Sequence, residues 1–253
     1  MFAAMSWQHA LLLLAAGVAG GLTGSIAGLA SVATYPALLM AGLPPVAANV
    51  TNTVALTFNT IGSVWGSLPE LDGMGPWLRR VLPAAALGGA AGAALLLALP
   101  AEGFEVVVPV LLGLSSVTIA IPQRRGADTE PGQGRAVLIS VAIFVICLYG
   151  GYFGAAAGVV LLALLLHSGS ESMAHANAAK NVILGVANGV AAVGFIALAP
   201  VNWIAVVPLG FGCLVGSRLG PVVVRHTPAT PLRLTIAVAG LALAVKLGWD
   251  TYR

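Results

Sequence analysis

Charge is scarce in this chain. Only 8% of its 253 residues are Asp, Glu, Lys or Arg, 11 basic against 8 acidic, where a soluble domain carries about a quarter. A net charge of +3, placed in the connections, gives no basic face for nucleic acid. Cysteine is limited to Cys147 and Cys213; both lie in apolar runs, where packed free thiols are expected. His9, His167 and His226 are scattered and suggest no metal centre. The patterns GxSxG, HExxH, CxxC and GxxxxGK[ST] are missing, which argues against hydrolase, zinc-protease, dithiol and P-loop chemistry. The polar stretch Gln123–Arg135 reads as a loop, so no soluble domain is expected. Met1–Ala10 holds no Lys or Arg, and the apolar run after it outlasts a signal-peptide core; it reads as the first membrane segment.

Apolar sequence is abundant, with 59% hydrophobic residues and a mean hydropathy of +1.00. Runs near 10–42, 46–66, 81–99, 104–122, 136–166, 175–199, 203–220 and 232–248 can enter a hydrocarbon core about 30 Å thick. The runs 10–42 and 136–166 are too long for one comfortable span and are rich in glycine. Each reads as a hairpin: a helix, a glycine-rich break and a return helix. Such a break is tolerated only where protein or a wet cavity satisfies the freed backbone. With two hairpins, Arg79, Arg80, Arg124, Arg125, Arg135, Arg218, Arg225 and Arg233 all fall on one side. The Glu102–Glu105 and Pro200–Asn202 connections take the other. Single spans would split the arginines, so the positive-inside rule selects the hairpins. Both termini are then outside, and Trp77 and Trp203 start equivalent helices as interfacial anchors.

The two halves repeat one another. Gly20-Gly21-Leu22-Thr23-Gly24-Ser25-Ile26-Ala27-Gly28 and Gly150-Gly151-Tyr152-Phe153-Gly154-Ala155-Ala156-Ala157-Gly158 share GGxxGxxxG. Each is followed by a helix with two asparagines seven residues apart: Asn52 and Asn59, then Asn181 and Asn188. That spacing puts each pair on one helix face. The architecture expected is an all-α integral membrane protein of two inverted repeats, each a glycine-broken hairpin plus three transmembrane helices. Repeat 1 covers about 10–122, a cytoplasmic loop 123–135, and repeat 2 about 136–248, all in a single membrane domain spanning 1–253. Secondary transporters bind substrate between such repeats, at broken helices.

Candidate site residues follow from burial costs. Gly24, Gly28, Gly154 and Gly158 either pack helices closely or let backbone N–H groups at a half-helix N-terminus face an anion. Gly88/Gly92 and Gly212/Gly216/Gly220 read as packing motifs. Asn52, Asn59, Asn181 and Asn188 either bond across helices or donate amide N–H groups to an anion; Asn52 and Asn181 are nearer the breaks. Thr51, a possible hydroxyl donor, holds the repeat position of Lys180. Lys180 is the lysine at a motif position inside a membrane segment, where a charge costs several kcal/mol and usually lines a bundle interior. It either snorkels or, beside Asn181, forms half of an anion site. His175 reads as a capping or solvated residue at a helix end.

These residues also carry a resemblance. The first glycine motif, then Tyr35-Pro36-Ala37-Leu38-Leu39-Met40-Ala41-Gly42-Leu43-Pro44-Pro45 and Ala47-Ala48-Asn49-Val50-Thr51-Asn52, resemble the TauE/SafE family of sulfite and organosulfonate exporters. So do the second glycine motif, His175-Ala176-Asn177 and Lys180-Asn181. The family's longer glycine run is replaced here by Leu29-Ala30-Ser31-Val32. The resemblance implies a multi-pass protein of a bacterial plasma membrane that exports a small sulfur-containing anion, with no cofactor and no enzymatic activity. An anion channel and a transporter of small carboxylates are the alternatives. The partners implied are the anion and the bilayer; the oligomeric state is not legible.

Overall fold

The computed structural model describes residues 6–99, 133–155, 157–168 and 172–226, with isolated positions between 234 and 249. The expected segments at 104–122 and 232–248, the Glu102–Glu105 connection, Glu171, Arg124, Arg125 and Arg233 lie outside the described residues. Among those described, the regular structure is helical: α1 (Trp7–Ala27), α2 (Ala30–Met40), α3 (Pro45–Gly66), a 3-10 turn (Leu68–Leu71), α4 (Gly75–Ala98), α5 (Gln133–Tyr152), α6 (Ala157–His167), α7 (Met173–Leu198) and α8 (Trp203–His226).

Both long apolar runs are broken where glycine is concentrated. α1 ends at Gly28, which adopts φ 77°, and α2 returns along α1. α5 gives way to Phe153, then Gly154 at φ 76°, before α6. A left-handed residue closes a helix cheaply only without a Cβ.

Among the described residues, four helices, α1, α4, α7 and α8, are long and apolar enough to cross a bilayer. α3 has the length, 22 residues, but its asparagines and threonines lower its hydropathy. Several helices outrun the expected segments. Pro76 sits in the first turn of α4, where its missing N–H costs nothing, so that helix starts at Gly75 and not near 81. α8 continues to His226. Arg79, Arg80 and Arg225 therefore lie within helices and not in connections, since arginine is a good helix former. α5 likewise takes residues 133–135 from the expected loop.

Glycine seams join the halves. Gly17 and Gly21 of α1 face Gly212, Cys213 and Ser217 of α8, and Gly220 abuts Ser25. Gly88 and Gly92 of α4 meet Phe144, Leu148 and Gly151 of α5 in the same way. Both pairs run parallel, and each seam brings backbone onto backbone, which is how helices gain contact without a hydrophobic drive in lipid. The packing expected of Gly88/Gly92 and Gly212/Gly216/Gly220 is what these contacts describe. α3 and α7 cross antiparallel, with Thr60 against Gly185 and Asn181 Nδ2 donating to Ser67 Oγ at 3.3 Å.

Polar contacts mark the two ends of α8. At its start, Asn202 Oδ1 accepts from Ala205 N–H at 3.1 Å, an N-cap, and Asn202 N–H donates to Thr51 Oγ1 at 3.0 Å. At its far end Arg225 Nε donates to Glu70 Oε1 at 2.7 Å, and the Arg218 guanidinium lies 3.6 Å over the Trp65 ring. The start of α4, with Arg79 and Arg80 in its second turn, follows the same 3-10 turn that carries Glu70. The described arginines thus gather at one end, opposite Asn202.

Candidate functional site at the two helix breaks

The first break leaves the last carbonyls of α1 without helical partners, at the negative end of the helix dipole. Gly28 N–H returns to Gly24 O at 2.6 Å and Leu29 N–H to Thr23 O at 3.4 Å. A further donor comes from the other half of the chain. Lys180 Nζ, on α7, donates to Gly24 O at 3.0 Å and Ser25 O at 3.2 Å. Lys180 is 1% exposed, so it does not snorkel. An ammonium has three donors and no acceptor; two are spent here, on carbonyls that suit a cation.

The second break is closed from the opposite direction. Phe153 and Gly154 N–H groups return to Tyr149 O at 3.0 and 3.2 Å, and Tyr149 Oη donates to Ala155 O at 2.7 Å. Asn49 Nδ2, on α3, donates to Tyr152 O at 2.9 Å. Each break is therefore held by a side chain from the other half. The breaks also touch: a Cβ at Gly28 would run into Gly158 Cα, and one at Gly158 into Gly28 Cα.

A cavity of about 30 Å³ lies beside this junction. A water needs roughly 10–15 Å³ by this measure, so the space holds about two water-sized groups. Its lining takes Leu56, Asn59, Thr60 and Ser63 from α3, and Asn181, Leu184, Gly185 and Asn188 from α7. Both sets follow i, i+3, i+4, i+7, one helical face each. Lys180 and Ser31 complete its polar side, with Gly24, Gly28 and Gly154 at the breaks. Among the described residues of the lining, Lys180 is the single charged one, and none is a carboxylate.

The structure thus gathers Gly24, Gly28, Gly154, Asn59, Lys180, Asn181 and Asn188 around one cavity. Gly158 stands behind Gly28. Asn52 is one contact removed: its Nδ2 donates to Ser31 Oγ at 3.0 Å. Thr51 is turned away, its hydroxyl accepting from Asn202. Gly24 and Gly28 present the carbonyl end of α1 to the cavity; the N-terminal backbone there belongs to Ala30 and Ser31 of α2. Ser31, Thr60 and Ser63 were not singled out from sequence. The helical stripe through Asn59 would have marked Thr60 and Ser63, whereas Ser31 carries no such signal. Buried and without hydrogen-bond partners are Asn49 Oδ1, Asn52 Oδ1, Asn59 Oδ1 and Asn177 Oδ1.

The sequence profile described as "Sulfite exporter TauE/SafE" matches residues 12–247. The chain belongs to the TauE/SafE family. A curated relative, "Probable membrane transporter protein ORF9" from Sinorhizobium sp, is 26% identical over 243 residues, covering 94% of this chain and 91% of that protein. No solved structure matches the chain. This TauE/SafE member is a multi-pass membrane transporter, consistent with its four long apolar helices.

Proposed function

We propose that this TauE/SafE protein exports a small sulfur-containing anion, sulfite or a small organosulfonate, across a bacterial plasma membrane by alternating access between two inverted repeats. The observation that carries the reading is the cavity lining: among the described residues, one buried ammonium, amides from both halves, hydroxyls from the first half and no carboxylate. Hydrogen bonds from a cation to a charged oxygen are about twice as strong as neutral ones, and the low dielectric amplifies them. A carboxylate would repel an anion there. The cavity of about 30 Å³ favours the smaller member of the substrate class in this conformation.

Several contacts support the inverted repeat. Gly28 and Gly158, which match in the duplicated motif, touch each other. The α1–α8 and α5–α4 seams use matching glycines, and the matching helices α3 and α7 cross antiparallel. A pseudo-twofold axis lying in the membrane plane accounts for all three. The site then sits on that axis, and rocking of the hairpins against α3 and α7 would expose it to each side in turn. Export of an anion is favoured by an inside-negative potential, about 2.3 kcal/mol per charge per 100 mV, without a coupling ion. The arginine-bearing end is cytoplasmic on this reading.

Purified protein in liposomes loaded with labelled sulfite provides the test. Efflux should saturate and show counterflow, and Lys180→Gln should raise the half-saturating concentration at least tenfold. Unitary conductance would replace the transporter reading with a channel. Saturable flux of acetate without sulfite flux would move the substrate to carboxylates.

A further inference from the structure

Lys180 has two claims on one ammonium. In the described conformation it ties the carbonyl end of α1 to α7 through Gly24 O and Ser25 O, yet it also lines the cavity proposed for the anion. The second break differs in kind. Its cross-half contact comes from Asn49, a neutral amide donating to Tyr152 O, and Asn49 is not among the cavity-lining residues.

We infer that Lys180 is a substrate-operated clamp on the first hairpin, exchanging the α1 carbonyls for the bound anion, while Asn49 holds the second hairpin whether or not substrate is present. The inference rests on the anion-transport reading above and deepens it by naming how occupancy reaches the fold. The exchange is a competition among acceptors. A backbone carbonyl offers the ammonium a partial charge; an oxyanion in the same dry site offers a full one and forms the shorter, stronger bond. Turning Lys180 toward the anion removes the donor from Ser25 O, beyond which the helix ends within three residues at Gly28. Gly24 O keeps its bond from Gly28 N–H. The last turn of α1 and the entry to α2 then lose the tie to α7, and the contact of Gly28 with Gly158 is what still holds the two breaks together. The anion is thus translated into freedom of one hairpin and not the other. Lys180 touches substrate as well as positioning α1, whereas Asn49 positions α5 alone.

Amide hydrogen exchange on the full chain in lipid nanodiscs reads this directly, with sulfite as probe and chloride as control. Sulfite should speed exchange of residues 25–33 several-fold and leave residues 150–158 unchanged. Lys180→Gln should show the faster exchange of 25–33 without ligand and no further response to it. Should that variant not fold, the wild-type comparison stands by itself. Saturable sulfite binding with slowed or unchanged exchange at 25–33 would overturn the clamp and leave the transport reading intact. Equal loosening of both hairpins would overturn the asymmetry on which it depends. If sulfite, thiosulfate and sulfoacetate all fail to bind, the anion reading falls and the clamp with it.

Discussion

Alanine at Gly28 faces two penalties that separate positions elsewhere in the chain isolate. Gly28 has φ 77°, a left-handed conformation costing an L-residue about 1–2 kcal/mol. Its new Cβ would also overlap Gly158 Cα and lie 2.7 Å from the Gly158 carbonyl carbon; forcing backbone apart in a packed interior costs roughly 1–3 kcal/mol. Gly42 shares the first penalty alone, with φ 88° and nothing within 4 Å of an added Cβ. Gly158 shares the second alone, being helical, with Gly28 Cα and Leu184 Cδ1 (3.0 Å) in the way. Gly28→Ala should therefore cost about 2–5 kcal/mol, Gly42→Ala about 1–2, and Gly158→Ala about 1–3. At about 2–4 °C per kcal/mol for a chain of this size, thermal unfolding in one detergent should rank Gly28→Ala lowest, roughly 4–20 °C below wild type. The double variant Gly28→Ala/Gly158→Ala should depart from additivity, because the two residues share one contact. Equal losses for Gly28→Ala and Gly42→Ala, with Gly158→Ala neutral, would refute the meeting of the two breaks.

Three further outcomes follow from other contacts. Arg225→Ala should destabilise more than Glu70→Gln, because it strands a carboxylate whose Oε2 is already buried without a partner; denaturant titration in mixed micelles compares them, and the opposite ranking would deny the burial of Glu70. Asn181→Leu should weaken sulfite binding more than Asn52→Leu, since Asn181 lines the cavity and Asn52 reaches it through Ser31; calorimetry gives both affinities, and equal losses would return Asn52 to direct contact. A cysteine at 225 on a cysteine-free background should react only from the cytoplasmic side and one at 202 only from outside, and labelling of 225 in intact cells would overturn the assignment of sides.

The sequence by itself determined what depends on local chemistry. Few charges and long apolar runs fixed the membrane class. Runs of 10–42 and 136–166 were too long to be single spans, and glycine marked where each breaks, because only glycine enters the left-handed region cheaply and lets backbones touch. The duplicated motif and the paired asparagines singled out six of the residues now found around one cavity, and the cost of a buried charge singled out the seventh, Lys180. Helix ends were less legible at Arg79 and Arg225, since arginine ends a hydropathy run without ending a helix. Partner choice was decided only by the tertiary structure. Thr51 and Lys180 hold matching places in the repeat, yet Thr51 bonds Asn202, 151 residues away, and Lys180 bonds Gly24, 156 residues away. Asn49 was one more amide in an asparagine-bearing helix until Tyr152, 103 residues distant, was placed against it. Hydropathy and spacing report what a residue needs, a buried ammonium needing acceptors and a broken helix needing donors; which need meets which is settled by the packing of the two halves.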